Sequence, residues 1–198
     1  MIPRWLVIAA CALLLAPQRA SADWLITPFL GTTFGGESPF VNLEQSGGTP
    51  KKTIFGGSVA LVPPQIFGVE ADFSYSPRFF EQDPRGGLVT GSNLSTWTGN
   101  IILAMPLSIT HESLRPYLVG GGGLIHAGSS DIANIVSFDR NLAAIDIGGG
   151  AVGLVSNRSG FRFEVRHFRS LYSSDVPLRD GRAHLSFWRA SIGVTIRY

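Results

Sequence analysis

The apolar and polar positions of this chain alternate with a period of two over several stretches, and the closing one organises the rest. Between His184 and Tyr198, the residues Trp188, Ala190, Ile192, Val194, Ile196 and Tyr198 share one parity and are all apolar. The interleaved set is Phe187, Arg189, Ser191, Gly193, Thr195 and Arg197, polar, charged or glycine except for Phe187. Successive strand side chains point to opposite faces, so the pattern predicts one strand with an oily face and a wet face, ending on an aromatic.

Seven further strands are predicted upstream. Trp24–Phe34 is the first; Pro28 interrupts its apolar run and leaves its parity open, because proline cannot donate to a ladder. The second runs from Lys52 or Thr53 to Val62, with Phe55, Val59 and Leu61 on one face. Ile66–Ser76 sets Phe67, Val69, Ala71, Phe73 and Tyr75 against Gly68, Glu70, Asp72 and Ser74. Asn93–Met105 sets Trp97, Ile101, Leu103 and Met105 against Thr96, Thr98 and Asn100. Arg115–His126 and Asn141–Ser156 follow, the latter with Ile145 and Ile147 opposite Asp146 and Gly148. Phe161–Phe168 sets Phe161, Phe163 and Val165 against Arg162, Glu164 and Arg166.

The connections between these eight strands run long, short, long, intermediate, long, short, long. An up-and-down meander with that rhythm gathers the long connections at one end and the short turns at the other. The long ones are Gly35–Lys51, Arg78–Gly91, Ala127–Asp139 and Tyr172–Arg182. Each strand is long enough to cross a bilayer at a tilt.

Parity alone leaves open which face is inside, and the charged residues favour one choice. Glu70, Asp72, Asp146, Arg162, Glu164, Arg166, Arg189 and Arg197 lie mid-strand, carry both signs and alternate with apolar neighbours. A soluble lipocalin-like barrel turns such residues outward; a membrane barrel turns them into the lumen, where they pair. Interleaved Gly and Ser residues leave room there for long Arg side chains. With the terminal aromatic, the whole pattern resembles the small eight-stranded outer-membrane proteins of the OmpA/OmpX type. The opening Trp24-Leu25-Ile26-Thr27-Pro28-Phe29-Leu30-Gly31 is similar to that family as well. The resemblance implies an all-β fold, a closed eight-stranded antiparallel up-and-down transmembrane β-barrel, in the outer membrane of a Gram-negative bacterium. It implies outer-membrane lipid around the wall and a ligand for the extracellular loops. It also implies that assembly machinery reads the closing strand through Trp188, Ile192, Val194, Ile196 and Tyr198.

The start of the chain fits that destination. Met1–Arg4 is positive, Trp5–Ala16 is apolar, and Ala20-Ser21-Ala22 is a small-x-small site, so residues 1–22 read as a cleaved secretory signal and 23–198 as the barrel domain. Cys11, the single cysteine, falls inside the apolar run, so disulfides, thiolate metal sites and cysteine nucleophiles are excluded from 23–198. The net charge of +2 contains Arg4 and Arg19, and without them the balance is neutral; no basic footprint for nucleic acid remains.

Two chemistries besides a structural or surface-interaction role are open. The lumenal charges could line a small-solute pore, but eight strands enclose an interior just wide enough for side chains, which favours a closed plug. Some small outer-membrane barrels resembling this one are lipid A deacylases that use a His and a Ser. His126, His167 and His184 are the candidates, with Ser129, Ser130, Ser170, Ser173 and Ser174 near them in sequence; His111 carries no evident role. In His167-Phe168-Arg169-Ser170, Arg169 stands where the deacylase motif has its nucleophile, so the expectation is a non-enzymatic barrel with no catalytic, metal or cofactor site. Gly120–Gly123 and Gly148–Gly150 lack the following Lys and helix of a phosphate loop. Trp97, Trp188, Tyr117, Tyr198, Phe161 and Phe187 are expected in the aromatic girdles of the wall.

Overall fold

The computed structural model describes residues 23–37, 51–77, 89–110, 114–131, 138–171 and 185–198. The proposed signal segment, most of the predicted loops, and His111, Ser173, Ser174 and His184 lie outside them. Eight strands form the wall: β1 Asp23–Glu37, β2 Lys52–Val62, β3 Phe67–Pro77, β4 Val89–Ala104, β5 Leu114–Asp131, β6 Phe138–Leu154, β7 Ser159–Ser170 and β8 Ser186–Arg197. Each pairs antiparallel with its neighbours in sequence, and β1 pairs with β8, so the sheet closes on itself without a free edge. Closure pairs every strand on both sides, a condition for any sheet that contacts hydrocarbon.

Alternation sets the two faces. Along β7, Phe161, Phe163 and Val165 point outward and are exposed, while Arg162, Glu164 and Arg166 point inward and are buried. The outer wall also carries Trp24, Leu30, Phe67, Val69, Trp97, Ile101, Leu118, Ile147, Ile192 and Val194, all exposed. A continuous apolar surface of that extent is far beyond what a monomer tolerates in water, and it is the surface a bilayer covers. No helix among the described residues is long and apolar enough to cross a membrane; the crossing elements are strands.

The parity that Pro28 left open is settled by β1 itself. Thr27, Phe29 and Thr33 are buried inward, whereas Trp24, Ile26, Pro28 and Leu30 face out. Paired contacts between β1 and β8 skip from Ile26–Ile196 to Phe29–Gly193, where Pro28 has no N–H to offer. Inside the wall Thr27 Oγ1 and Thr195 Oγ1 span the gap at 3.0 Å. Below it the seam is closed by Trp24 N donating to Tyr198 O and Tyr198 N donating to Trp24 O, at 3.1 and 2.9 Å.

Strand lengths depart from the sequence expectation at the long-connection end. β5 continues to Asp131 and β6 starts at Phe138, so residues 127–131 and 138–139 of the loop expected over Ala127–Asp139 belong to strands. β1 likewise runs to Glu37 and β4 starts at Val89. Polar residues such as Gly128, Ser129 and Ser130 pair as readily as apolar ones once the strand has passed the apolar wall, so alternation gives no sign of them. At the other end, Pro106–Ser113 contains a short helix, α1 Leu107–Thr110, whose turn is closed by Ile109 N and Thr110 N donating to the Pro106 carbonyl at 3.0 and 3.4 Å.

Glycine on the lumenal face is a packing requirement at Gly148 and Gly150. A Cβ at Gly148 would sit 2.4 Å from the Val165 carbonyl oxygen and 3.0 Å from Arg166 Cγ; one at Gly150 would sit 2.6 Å from the Tyr117 hydroxyl. Gly120 faces outward, with nothing nearer than 3.6 Å. Gly148→Val is therefore expected to destabilise the barrel by about 1–3 kcal/mol or more, while Gly120→Ala is tolerated. Urea unfolding followed by heat-modifiable migration on gels checks the pair; equal midpoints would contradict the crowding argument.

Candidate functional site

The chemistry of the described barrel is concentrated in one layer across the middle of the lumen, built by inward positions of β2, β3, β4, β5, β6, β7 and β8. Glu164 on β7 is its centre. Its carboxylate accepts from Arg162, from Arg166 at 2.7 and 3.0 Å, from Arg189 at 3.0 Å, and from the Tyr117 hydroxyl at 2.8 Å. Arg189 reaches across from β8 to grip Asp72 on β3 with two bonds of 2.8 and 2.9 Å, the fork-to-fork geometry that makes Arg–carboxylate pairs strong. Arg166 also bonds Glu70 at 2.7 Å and Asp146 at 3.1 Å. Arg162 pairs with Glu70, and donates to the Tyr117 hydroxyl at 2.6 Å and to Ser58 at 3.0 Å. The Asn100 amide, with its nitrogen toward Asp146 Oδ1 at 2.9 Å, accepts from Arg166 at 2.7 Å.

Arg166 and Arg189 are both 0% exposed, so the layer fills the cross-section at its own level. Apolar side chains lie on both sides of it. Toward the long-connection end are Leu94, Ile125, Leu142, Phe168, Leu185 and Phe187, with the Phe168 and Phe187 rings stacked at 5.0 Å. Toward the short-turn end are Ala60, Val62, Ile102, Ala104, Val119 and Val152. The Arg189 guanidinium lies over the rings of Phe29 and Phe168 at 4.7 and 5.0 Å, a cation–π arrangement that is stronger where water is excluded. Within the lower apolar layer a small cavity of about 40 Å³ opens between Leu25, Val62, Ile102, Val152 and Leu154 and reaches Tyr117 and Arg162 of the charge layer.

Seven of the eight residues expected in a lumenal network, Glu70, Asp72, Asp146, Arg162, Glu164, Arg166 and Arg189, are brought together in this layer. The eighth, Arg197, is not. It stands half-buried at the short-turn mouth and pairs with Asp23 at 2.8 Å. Parity put it on the inner face, but its place at the end of β8 leaves it far below the charge layer. Two residues expected in the aromatic girdles are lumenal instead: Tyr117 is bonded into the charge layer and Phe187 into the apolar layer above it. Trp97, Trp188, Tyr198 and Phe161 face outward. Sequence reasoning did not assign Asn100, Ser58 or Tyr117 to the network. The signal for Asn100 was its parity, shared with Thr96 and Thr98 on the wet face of β4.

Among the described residues the histidine–serine chemistry does not assemble around His167. That ring faces outward, 4.8 Å from Trp188, whereas Ser170 is buried on the lumenal side, where its hydroxyl accepts from Leu185 N at 3.0 Å. His126 has Nδ1 3.0 Å from the Asn141 amide oxygen. Among the described residues no group of three or more His, Cys, Asp or Glu side chains is placed to hold a metal ion.

An apolar wall around a lumen closed by paired charges defines a membrane-spanning β-barrel of the small outer-membrane type. No protein-family model and no curated protein sequence matches the chain. Solved structures do. Neisserial surface protein A aligns over 89% of this chain and 97% of its own with a TM-score of 0.61 at 11% identity. The N-terminal β-barrel domain of Pseudomonas aeruginosa OprF covers the same shares with a TM-score of 0.56 at 15% identity. Ail, the attachment invasion locus protein of Yersinia pestis, was solved with the heparin analogue sucrose octasulfate; it covers 89% of this chain and 99% of its own, with a TM-score of 0.53 at 15% identity. The chain has the eight-stranded outer-membrane barrel fold that its sequence resembles, the OmpA/OmpX-like one.

The charge layer makes a specific energetic demand. Removing one partner of a buried ion pair leaves the other charge uncompensated and costs about 3–5 kcal/mol, whereas replacing both with apolar groups of similar size costs little. Asp72→Asn should lower the urea midpoint clearly, and the double variant Asp72→Leu/Arg189→Met should recover much of that loss. A double variant less stable than Asp72→Asn would show that the layer's charges stabilise the fold in their own right.

Proposed function

We propose that this chain is a non-enzymatic protein of the Gram-negative outer membrane whose barrel is a closed scaffold, with a structural or surface-interaction role carried by the connections at its outer end. The observation that carries this reading is the pairing of an apolar outer wall with a lumen filled by bonded charges. Such a barrel anchors in lipid and holds its strands rigidly, yet provides no wide aqueous path. In this reading the short turns 63–66 and 155–158 face the periplasm together with Asp23 and Arg197, as short turns do in barrels of this type. Residues 38–50, 78–88, 132–137 and 172–184 then face outside and hold whatever binds there. The surface and attachment roles in the names of the neisserial and Yersinia barrels belong to those proteins and lend this proposal only a precedent.

The small-solute pore is the reading that the filled layer argues against, and planar bilayers separate the two. The refolded barrel is expected to leave the bilayer silent across the physiological voltage range. Steady single-channel conductance would overturn the closed-scaffold proposal.

Segment 1–22 is proposed to direct export and to be removed. The closing strand is proposed as the part read during assembly, with Trp188, Ile192, Val194, Ile196 and Tyr198 on its lipid face. Deletion of Tyr198 is expected to reduce the heat-modifiable form in cells more than deletion of 178–182 does. Equal levels of the two truncations in outer-membrane fractions would remove the assembly role.

A further inference from the structure

The small cavity at the short-turn end of the lumen has unlike ends. Its walls are aliphatic, with Ala60 and Ala104 leaving space between Val62, Ile102 and Val152. Its inner end meets Tyr117 and Arg162, whose polar groups are already bonded to Glu164, Glu70 and Ser58. The layer behind them sets four carboxylates, Glu70, Asp72, Asp146 and Glu164, against three guanidinium groups, and so has no surplus cation to offer. The outer end is different. Arg115 and Arg197 line it together with Asp23, and these three side chains sum to one positive charge.

Arg115 is held in place by neutral acceptors. Its Nε donates to the Met105 carbonyl at 2.8 Å, and its Nη2 donates to the Pro63 and Gln65 carbonyls at 2.8 and 2.6 Å. Leu107 N also donates to the Pro64 carbonyl at 3.2 Å, so α1 and the turn 63–66 are fastened together at the rim. Arg197 has Asp23 at 2.8 Å, whereas no described carboxylate is within salt-bridge reach of Arg115. Its Nη1 is left for water or for a guest. A guanidinium fixed beforehand loses little side-chain freedom when an anion arrives.

We propose that this cavity binds a small amphiphile from the periplasm, one with a short aliphatic tail and a singly charged anionic head. The tail lies between Val62, Ile102 and Val152, and the head rests at the mouth beside Arg115. The surplus positive charge at the mouth, and its absence at the charge layer, fix that orientation. Since Nε and Nη2 are already engaged, Arg115 has no bidentate face to present, and the head is selected by its charge. Size limits the tail: a water molecule needs ~10–15 Å³ of such space, so the cavity of about 40 Å³ takes roughly three or four carbon atoms. The proposal goes beyond the closed-scaffold reading and takes from it only the side on which the mouth opens.

NMR titration of the refolded barrel, with isotope-labelled Ile, Leu and Val methyl groups, tests it with sodium pentanoate as the probe. Pentanoate is expected to shift the Val62, Ile102 and Val152 methyls saturably and to leave those of the outward-facing Val69 and Ile101 unmoved. Acetate, shorter by three methylenes, should bind at least ~tenfold more weakly, since each buried methylene contributes about fourfold. Arg115→Gln should weaken pentanoate about fivefold, the loss of one charge-assisted contact. Asp23→Asn should instead tighten it about twofold, the size of an exposed charge interaction, a gain that damage to the rim would not produce. Ala104→Phe, or Ala60→Leu if the first does not fold, fills the cavity and should abolish binding. Arg158→Gln, a charge change at the same end but outside the cavity, should leave it intact. Heat-modifiable migration verifies the folding of each variant. Equal affinity for pentanol or pentylamine would overturn the anionic head. Binding retained in a folded cavity-filling variant would overturn the location, and so would shifts confined to Val69 and Ile101, which would mark uptake by the surrounding lipid.

Discussion

The structure depends on the carboxylate of Glu164. A charge taken out of water is tolerated only when it is bonded and balanced, and Glu164 supplies that balance to three arginines on two strands at once. No pair in the layer stands alone: Arg166 is shared with Glu70 and Asp146, Arg189 with Asp72, and Arg162 with Glu70. This sharing ties β3, β6, β7 and β8 across the lumen, which ladder bonds between neighbouring strands cannot do. It also dictates what surrounds it. Gly148 and Gly150 are bare because the Val165 and Phe163 carbonyl oxygens of β7, together with Arg166 and the Tyr117 hydroxyl, occupy the space a Cβ would take, and Tyr117 is polar-tipped because its hydroxyl sits between Arg162 and Glu164.

The two apolar layers complete the same logic. A charge network weakens as water penetrates it, since screening lowers every attraction within it. Leu94, Ile125, Phe168 and Phe187 cover the charge layer on one side without contributing polar groups of their own, while Val62, Ile102 and Val152 on the other narrow the access to a small cavity at Tyr117 and Arg162. The lumen is thus an ordinary protein interior at its ends and a salt-bridged one at its middle. The outer wall is the reverse of a soluble surface, apolar wherever lipid lies against it. Both arrangements follow from a single alternation, since each strand delivers its even and odd positions to opposite media.

That alternation was legible in the sequence, and with it the strand count, the meander order and the inward turn of the seven charges. A mid-strand Glu164 between Phe163 and Val165 has only one face available once lipid is known to cover the other. What alternation does not encode is height along the barrel. Arg197 has the parity of Arg189 and none of its partners, because eight residues of climb separate the mouth from the middle layer. Tyr117 and Phe187 were hidden for another reason. Tyr117 lies between Pro116 and Leu118, and Phe187 beside Trp188, so both faces of the strand look apolar there and parity has nothing to contrast. The extra strand length of β5 and β6 escaped because Gly128, Ser129 and Ser130 stand beyond the apolar wall, where no alternation is imposed.

Closure of the barrel is the one pairing that joins the ends of the described chain, and its construction shows where the wall can afford a defect. Pro28 removes a donor from the β1–β8 seam at a point where a gap would expose backbone to hydrocarbon. The loss is covered from inside by the Thr27–Thr195 hydroxyl pair and from below by the reciprocal bonds of Trp24 and Tyr198. Gly193 lets the two strands approach at the defect, since a Cβ there would lie 2.6 Å from the Pro28 carbonyl oxygen and 2.7 Å from Thr27 Cγ2. The Asp23–Arg197 pair then pins the lower end of the same seam. Arg197 therefore stabilises the barrel as a clasp on its closing edge, a role that depends on where β8 ends and that no count of lumenal charges would assign to it.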